Sequence, residues 1–478
     1  MPSHGYDVIV VGNGAIGGAI AVELSRRGHA VARVGKSDRP LAASSAAGAM
    51  LGSFGEVTRH TLRSKYGRIK LESDIRASSM WPTWDRILSE TSGQVDSLYA
   101  ASGTVVLLNT IGTGTVDTGN FQAIRAALDE YRHSYEEVDP DSLDWYSPDP
   151  LSRSLQAILI PGEHAIDASR LLTRLDLAFN AVGGAVIDDD AAEVTTVGGK
   201  CTGVRLESGT ELEAHSVIIA AGARSSTLLE TLPELRRRIP PLVSGYGVSA
   251  LVETADGAVP KHVLRTPNRA FACGLHCVPR ADGTLYLGGT NVINERPRAH
   301  ATIRDLSFLL ECSVNQLHSK MPMAGVAAVQ VGNRPVTADG FPLLGPVGLE
   351  GLFMATGTYR DGLHQSPLIA EYLADLIESK SSKFDALLGD FAPERAPLAA
   401  SDRGDVVNRA TEELLAAGFE TDWNVKPEWP ELIEQHARQT YTRRAAELHP
   451  AFTPPPELLA KLTPSIERQL IDYYEAWS

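Results

Sequence analysis

Three glycines near the start of the chain have the spacing of a phosphate-binding turn. Gly12, Gly14 and Gly17 form the pattern G-x-G-x-x-G within "VIVVGNGAIGGAIAVELSRRG". The first glycine permits a tight turn, the second lets backbone amides approach a pyrophosphate, and the third allows a helix to pack closely on a sheet. Anions bind there because the N-terminus of a helix presents free N–H groups. The three residues therefore predict a dinucleotide site.

The residue that normally binds the ribose of such a dinucleotide is missing. An acidic side chain is expected about 20 residues after the turn, where it accepts hydrogen bonds from the ribose hydroxyls. Gly35 stands in that place, so Lys36, Ser37 or Asp38 must substitute. One interpretation is a shifted loop in which Asp38 does the same work. The less favoured interpretation is that Lys36 faces a 2′-phosphate, as in NADP enzymes.

Two arginines and one histidine are candidates for substrate chemistry. Arg334 lies between the apolar stretch "VAAVQV" and Pro335, an unusual setting for a solvated arginine. A planar guanidinium binds a carboxylate through two parallel hydrogen bonds, but a structural ion pair with a loop acid is the alternative. Arg360 is a second candidate for binding a carboxylate, but the sequence "TYRDG" around it is also typical of an ordinary turn. His276 lies on a predicted strand, where it is either a core residue or part of the site.

The elements that must position these residues follow an α/β pattern. Residues 8–11 are apolar and β-branched without polar alternation, which predicts a parallel strand buried on both faces. A helix follows, Gly28 ends it, and residues 30–34 predict a second strand. Residues 217–221 predict another buried strand that ends in Ala221 and Gly222, a second close approach of backbone to the dinucleotide.

The intervening segments predict a second sheet. The stretches "LYAASGTVVLLNT", "PLVSGYGVSALVET" and "FACGLHCVPRADGTLYLGGTNV" alternate like antiparallel strands. A strand, a glycine-rich turn and an amphipathic helix over residues 366–377 then return to the first fold unit. The predicted architecture is a discontinuous α/β chain.

Composition limits the class of protein. The chain has 478 residues, 43% hydrophobic residues and a formal net charge of -15, so it can bury a sizeable core, and nucleic acid and anionic membranes are disfavoured partners. We expect no membrane helix and no signal peptide, and a cytoplasmic location. Cys201, Cys273, Cys277 and Cys312 show no C-x-x-C spacing, no metal site is expected, and buried free thiols are predicted at Cys273 and Cys277.

Four motifs together resemble the D-amino-acid oxidase superfamily of FAD-dependent amine oxidases, in particular its glycine oxidase and sarcosine oxidase branch. They are the G-x-G-x-x-G turn, "SSAAGAML" at 44–51, "GNRPVTADGFPLLG" at 332–345 and "GTYRDGL" at 357–363. The resemblance covers about residues 1–395. It implies a Rossmann-like FAD-binding domain of the glutathione-reductase type with an inserted antiparallel-sheet substrate domain.

The resemblance also implies roles for individual residues. Arg334 matches the arginine that binds the substrate carboxylate, Arg360 matches a second arginine near the entrance, and His276 replaces a tyrosine of glycine oxidases. Gly332 stands where covalent relatives carry a flavin-linked cysteine, so non-covalent FAD is expected. The residues predicted to contact FAD are Gly12, Gly14, Ala15, Ile16, Gly17, Lys36, Ser44, Ser45, Ala47, Gly48, Met50, Val194, Ala221, Gly222, Arg334, Gly357, Tyr359, Arg360, Asp361, Gly362 and Leu363.

The implied activity is oxidation of a small amino acid or N-substituted glycine to an imine, with O2 reduced to H2O2. The imine would hydrolyse to an α-keto acid such as glyoxylate. A flavin monooxygenase that uses NADPH and a non-catalytic flavin-binding partner protein are the alternatives. No second nucleotide fingerprint supports the former, and the two candidate carboxylate-binding arginines argue against the latter.

The chain is predicted to alternate between two domains before a helical extension. The FAD-binding domain is expected at 1–80, 151–238 and 326–400, the substrate domain at 81–150 and 239–325, and the extension at 401–478. Helical runs are predicted at 412–417, 428–448 and 456–477, separated by prolines. The extension has too little apolar surface for its own core. It is expected to cap the catalytic domains or form a homo-oligomer contact, with recognition of a partner enzyme as the alternative.

Overall fold

The protein is described by a computed structural model over residues 5–269, 274–398, 402–420 and 426–478. Its strands are β1 (Tyr6–Val11), β2 (Val31–Val34), β3 (Met50–Leu51), β4 (Tyr99–Ala101), β5 (Thr104–Asn109), β6 (Glu136–Val138), β7 (Ser154–Ile160), β8 (His164–Ile166), β9 (Ala185–Ile187), β10 (Ala191–Val197), β11 (Lys200–Leu206), β12 (Glu211–Ile219), β13 (Leu242–Glu253), β14 (Val263–Arg265), β15 (His276–Pro279), β16 (Leu285–Gly288), β17 (Val292–Asn294), β18 (Gly325–Thr337), β19 (Leu343–Pro346) and β20 (Leu352–Thr356).

The α-helices alternate with these strands and then continue without them. They are α1 (Ala15–Arg26), α2 (Lys65–Ser92), α3 (Gly119–Glu130), α4 (Ala168–Ala181), α5 (Ser225–Glu230), α6 (Pro233–Arg236), α7 (Ile303–Gln316), α8 (Ser366–Ile377), α9 (Asp385–Leu388), α10 (Arg403–Glu420), α11 (Trp429–Leu448), α12 (Pro456–Ala460) and α13 (Pro464–Glu475).

The first sheet has a parallel centre. β1 pairs in parallel with β12 and β2, β12 pairs in parallel with β20, and β2 pairs in parallel with β9. β10, β11 and β19 extend this sheet by antiparallel pairing. Val8 to Val11 are buried, and apolar cores lie on both faces of the sheet, as the continuous apolar run predicted.

The second sheet has the strand order β17-β13-β16-β15-β14-β5-β7-β6, with β18 on the other edge of β13. Its pairings are antiparallel, as expected, except that β14 and β5 run parallel. The predicted stretch around Tyr99 divides differently from the expectation. β5 joins this sheet, whereas β4 pairs with β8 in a small third sheet that also contains β3.

Several elements coincide with their predicted bounds and others are displaced. α8 spans 366–377 as predicted, and β1 and β2 differ from prediction at their first residues only. The strand predicted at 217–221 begins at Glu211 and ends at Ile219, so Ala221 and Gly222 follow it. The helix predicted at 456–477 is two helices, because Thr463 caps a new helix that begins at Pro464.

Three of the predicted domain boundaries do not coincide with the ends of the observed structural units. The boundary after residue 80 falls inside α2, and Trp81, Trp84 and Leu88 of that helix lie in one core with α1 and α8. The boundary after 150 precedes β7, which pairs with β5 in the second sheet. The boundary after 325 removes most of β18 from that sheet. The two-domain division and its boundaries stay a prediction.

The C-terminal extension is docked on the body of the protein. Its apolar residues form one core with Val243, Ile293 and Val336 of the second sheet. Tyr473 Oη donates to the carbonyl of Arg395 at 2.9 Å, and Trp477 Nε1 donates to the carbonyl of Arg238 at 3.1 Å. These contacts support the predicted cap.

Cys277 is a buried free thiol, as predicted, and Cys273 lies outside the described residues. Cys201 and Cys312 are buried free thiols as well. Within the described part of the chain, no helix has the length and apolar character needed to cross a membrane.

Candidate active site

A cleft of about 430 Å³ lies where the carboxyl ends of the parallel strands face the second sheet. Val11, Val34, Ala220 and Thr356 bring β1, β2, β12 and β20 to its wall. Open α/β sheets bind ligands at this edge. The opposite wall includes Arg334 on β18, so the cleft joins both sheets.

The turn between β1 and α1 is built to approach a ligand closely. Gly12 has a φ of +123°, and a Cβ added there would lie 2.3 Å from the carbonyl oxygen of Ala220. A Cβ at Gly17 would lie 2.1 Å from the carbonyl oxygen of Gly12, so this glycine lets α1 pack on the turn. Gly14, Ala15 and Ile16 line the cleft at the start of α1. The N-terminus of a 12-residue helix therefore faces the cavity, as an anion site requires.

Asn13 occupies the space that a side chain at position 35 would need. A Cβ at Gly35 would lie 2.8 Å from Asn13 Cγ, and Asn13 Nδ2 donates to the carbonyl of Lys36 at 2.7 Å. Asp38, the expected substitute for the ribose-binding acid, is exposed and does not line the cleft. Lys36 lines it, 3.5 Å from Asp189.

Two acidic residues that sequence reasoning missed lie at this end of the cleft. Asp190 and Glu207 both line it, and Arg224 pairs with Asp190 at 2.9 Å. Both carboxylates come from the meander around β10 and β11, far from Gly35 along the chain. Asp190 and Glu207 are therefore the acidic candidates for the ribose contact that Gly35 cannot make.

The segment after β2 and the turn before α8 also line the cleft. Ser44, Ala47, Gly48 and Met50 line it after β2, and Ser44 Oγ accepts from the Ala15 N–H at 3.0 Å. Ala221, Gly222 and the turn residues Tyr359, Arg360, Asp361, Gly362 and Leu363 before α8 also line it.

Four residues predicted to contact the cofactor do not line the cleft. Gly17 packs under the first turn of α1, and Ser45 Oγ donates to the carbonyl of Ala42. Val194 lies in the apolar core on one face of the first sheet. Gly357 has a φ of +74° and packs against Thr337. These four residues pack beneath the residues that line the cleft.

Arg334 lies on the wall of the cleft that β18 supplies. It is half-buried on β18, and its Nη1 donates to the carbonyl of Thr290 at 3.3 Å. A Cβ at Gly247 would lie 2.4 Å from Arg334 Nη1, so this glycine leaves room for the guanidinium. Among the described residues no carboxylate lies within 4.0 Å of Arg334. The alternative of a structural ion pair finds no partner there.

His276 faces the same cavity as a neutral side chain. Its Nδ1 lies 2.9 Å from the carbonyl oxygen of Gly274 and therefore donates to it, which leaves Nε2 as an acceptor. Burial, together with the charges of Arg265 and Arg334, lowers the pKa of His276 to about 4. The ring stacks on Tyr286, with centroids 5.7 Å apart, and Tyr286 Oη donates to the carbonyl of Ala46.

Arg360 borders the cleft on its other side. Its guanidinium lies over the Tyr359 ring, 4.7 Å from the centroid, and its Nη2 donates to the carbonyl of Arg269 at 3.3 Å. The neighbouring Asp361 pairs with Lys70 Nζ at 2.6 Å. The turn thus holds Arg360 against an aromatic ring, while the acid beside it binds a lysine of α2.

Two buried ionic clusters flank the site, and sequence reasoning identified neither. Arg265 pairs with Glu56 at 2.6 Å; burial would raise the pKa of Glu56, but Arg265 and Arg360 hold it well below its usual range. Burial raises the pKa of Asp74 to about 8 despite Lys70, 3.4 Å away. The available indication was a charged residue within an apolar stretch, such as Arg265 in "KHVLRTPN".

No group of three or more His, Cys, Asp or Glu side chains suited to a metal ion occurs within the described ranges. The arrangement of the cleft instead suits a long ligand. One end presents a helix N-terminus and acidic side chains, and the other presents a guanidinium and a neutral imidazole.

Comparisons with known proteins identify relatives over most of the chain. The sequence profile of the family described as FAD dependent oxidoreductase (DAO) matches residues 7–376. Glycine oxidase of Geobacillus kaustophilus (strain HTA426) is 29% identical over 396 residues, which cover 80% of this chain and 96% of that enzyme.

Solved structures agree with this match. The crystal structure of glycine oxidase from Geobacillus kaustophilus superposes with a TM-score of 0.69 at 25% identity and covers 82% of this chain and 99% of that chain. Iminodiacetate oxidase from Chelativorans sp. BNC1 superposes with a TM-score of 0.67 at 19% identity, covering 81% and 100%. The latter likeness concerns the fold alone.

Proposed function

Because the chain belongs to the DAO family of FAD-dependent oxidoreductases, we propose that it oxidises the C–N bond of a small amino acid or N-substituted glycine. The nitrogen substituent is an alkyl group or a second nitrogen. The product is an imine that water hydrolyses to an α-keto acid such as glyoxylate and a free amine. O2 is the proposed electron acceptor and becomes H2O2.

The cleft residues fit FAD. Gly12, Gly14 and Ala15 would hold the pyrophosphate at the N-terminus of α1, while Asp190 and Glu207 are placed for the ribose. Ala47, Gly48 and the turn at 358–363 offer a wall of small side chains and backbone for the flavin ring. When bound, FAD supplies a hydride acceptor for the substrate and a route for electrons to O2.

Arg334 carries the proposal for substrate binding. Its guanidinium borders the cleft without a carboxylate partner among the described residues, so a substrate carboxylate can take that place. The fixed fork would orient the α-carbon, because positioning is the main requirement of a hydride transfer. His276 Nε2, an acceptor, could take a hydrogen bond from the neutral substrate amine.

Anaerobic flavin bleaching tests the proposal. Purified holoenzyme is mixed without O2 with glycine, N-methylglycine, proline, D-alanine and N-substituted glycines. We expect at least one of these to bleach the flavin absorbance, and admission of O2 to restore it with formation of H2O2. Holoenzyme that dithionite bleaches but none of the amines does would contradict the proposal.

The linkage to FAD is tested on the same protein. Gly332 lines the cleft and offers no thiol at the position of the covalent relatives' cysteine. We expect acid precipitation to leave FAD in the supernatant. Yellow colour retained in the washed pellet would show a covalent bond instead.

A further inference from the structure

A second cavity of about 180 Å³ adjoins the cleft. Glu56, Tyr359, Arg360 and Asp361 line both cavities, so the two meet at these residues. We refer to the second cavity as the side pocket. A group attached to a molecule in the cleft would have to pass Tyr359 and Arg360 to enter it.

The C-terminal extension supplies part of the side pocket wall. Arg409 and Glu413 of α10 and Glu457 of α12 line it. The match to the FAD-dependent oxidoreductase family ends at residue 376, before these helices begin. Ion pairs of Glu412 with Arg59 and of Glu420 with Arg269 hold α10 against the body. This wall is therefore added to the family fold and held in place.

Glu457 is a charged residue of this wall that has no ion-pair partner among the described residues. Within the described ranges no cation lies within 4.0 Å of its carboxylate, whereas Arg59 has Glu412 and Arg409 has Asp405 at 3.9 Å. Glu457 is half-buried, so a ligand cation there would be partly removed from water. Partial desolvation strengthens such a pair relative to one at an open surface.

We propose that the side pocket receives the nitrogen substituent of the substrate and that Glu457 binds an ammonium group carried by it. The inference rests on the proposed function, because it requires a carboxylate held at Arg334 and an amine in the cleft. The preferred substrate class is then an N-substituted glycine with a cationic side arm. The extension thus serves in substrate selection as well as in stability.

Three probe substrates test this inference on the full-length holoenzyme. They are N-methylglycine, N-butylglycine and N-(3-aminopropyl)glycine, of which the last two have side arms of equal length and differ in charge. We expect kcat/KM for the aminopropyl compound to exceed that for the butyl compound by about tenfold or more. The difference should lie in KM, because the charge pair is made alike in the ground state and in the transition state.

The variant Glu457→Gln should abolish this preference and leave kcat/KM for N-methylglycine within about twofold, and Glu457→Asp should keep part of the preference. Glu447→Gln is the matched control, because Glu447 is an exposed glutamate of the same extension with no ion pair among the described residues. Glu447→Gln should leave kcat/KM unchanged for both the aminopropyl compound and N-methylglycine. Flavin content and the unfolding temperature confirm that each variant is folded.

The outcomes separate this inference from the proposed function. If N-methylglycine bleaches the flavin but the aminopropyl compound has no advantage, or Glu457→Gln preserves that advantage, the side pocket inference is wrong and the proposed function stands. If no amine bleaches the flavin, both are wrong.

Discussion

Arg334 and Gly247 form a pair in which one residue provides the charge and the other provides the room. A desolvated charge pair typically loses roughly 2–5 kcal/mol when one partner is truncated. Arg334→Ala should therefore lower kcat/KM by about 30-fold to several thousand-fold. Arg334→Lys should recover only part, because an ammonium lacks the bidentate fork. Flavin content should stay near that of the parent; normal kinetics in Arg334→Ala would exclude the clamp.

Gly247→Ala tests the same geometry without replacing Arg334 itself. The added methyl group would lie 2.4 Å from Arg334 Nη1, so the guanidinium must move. A shift that misplaces the substrate by about 1 Å can cost about 100-fold in rate. Steady-state kinetics measure it, with Gly325→Ala as control because nothing lies within 4 Å of that position. Equal kinetics in the two variants would show that the guanidinium position does not matter.

His276 should make the folded protein sensitive to acid. Its pKa is lowered from 6.5 to about 4 in the folded protein. At a pH between these two values, the unfolded chain binds a proton at this histidine and the folded chain does not. Stability is therefore lost as pH falls from about 6.5 to 4, by up to about 3 kcal/mol from this group. Denaturant titrations at pH 7 and pH 4 should show a smaller loss for His276→Gln. His215→Gln, at an exposed position, should show the parental loss.

Residues that a local sequence pattern marks could be predicted from the sequence, and residues that depend on distant partners could not. The spacing of Gly12 and Gly14 predicts a turn, and the apolar stretch around Arg334 indicates an arginine with a special role. Glu56 and Arg265 are a pair only because β14 and the loop after β3 converge. No local pattern encodes that convergence.

The turn after β1 and the end of β2 act as one unit, because Asn13 fills the space above Gly35. Gly35→Glu alone must displace Asn13 and break its hydrogen bond to Lys36, so we expect about five- to tenfold weaker FAD binding. Asn13→Ala with Gly35→Glu should bind FAD at least as tightly as the parent, a non-additive result. Flavin fluorescence titration of apoprotein measures both, with Asn13→Ala as the single control. Unchanged affinity in Gly35→Glu would argue against this coupling.

Elements with a strong period or a clear terminus were predictable, and elements fixed by tertiary packing were not. α8 combines an amphipathic pattern with Pro367 in its first turn and was placed correctly. α2 carries Pro82 in its interior and many polar residues, so the sequence pattern did not predict a helix over these 28 residues. Its buried tryptophans against α1 and α8 stabilise it instead.

The docked extension makes the stability of the whole molecule depend on its last helices. Leu470 of α13 is fully buried in a core that includes Val243 and Val336 of the second sheet. Leu470→Ala should lower the free energy of unfolding by roughly 2–5 kcal/mol. Circular dichroism and flavin fluorescence should report one shared transition. Leu432→Ala, at an exposed site of α11, should change little, and two separate transitions would show that the extension unfolds alone.

The order of strands in the first sheet constrains how the chain folds. Tyr6 on β1 pairs with Ala214 on β12, and Val217 on β12 pairs with Leu352 on β20. Contacts between residues so far apart in sequence form slowly, because the intervening chain must lose its freedom before they form. Gly12 meets Ala220 only after β12 has joined β1. The turn that would hold the cofactor is therefore complete only when strands more than 200 residues apart in sequence have paired.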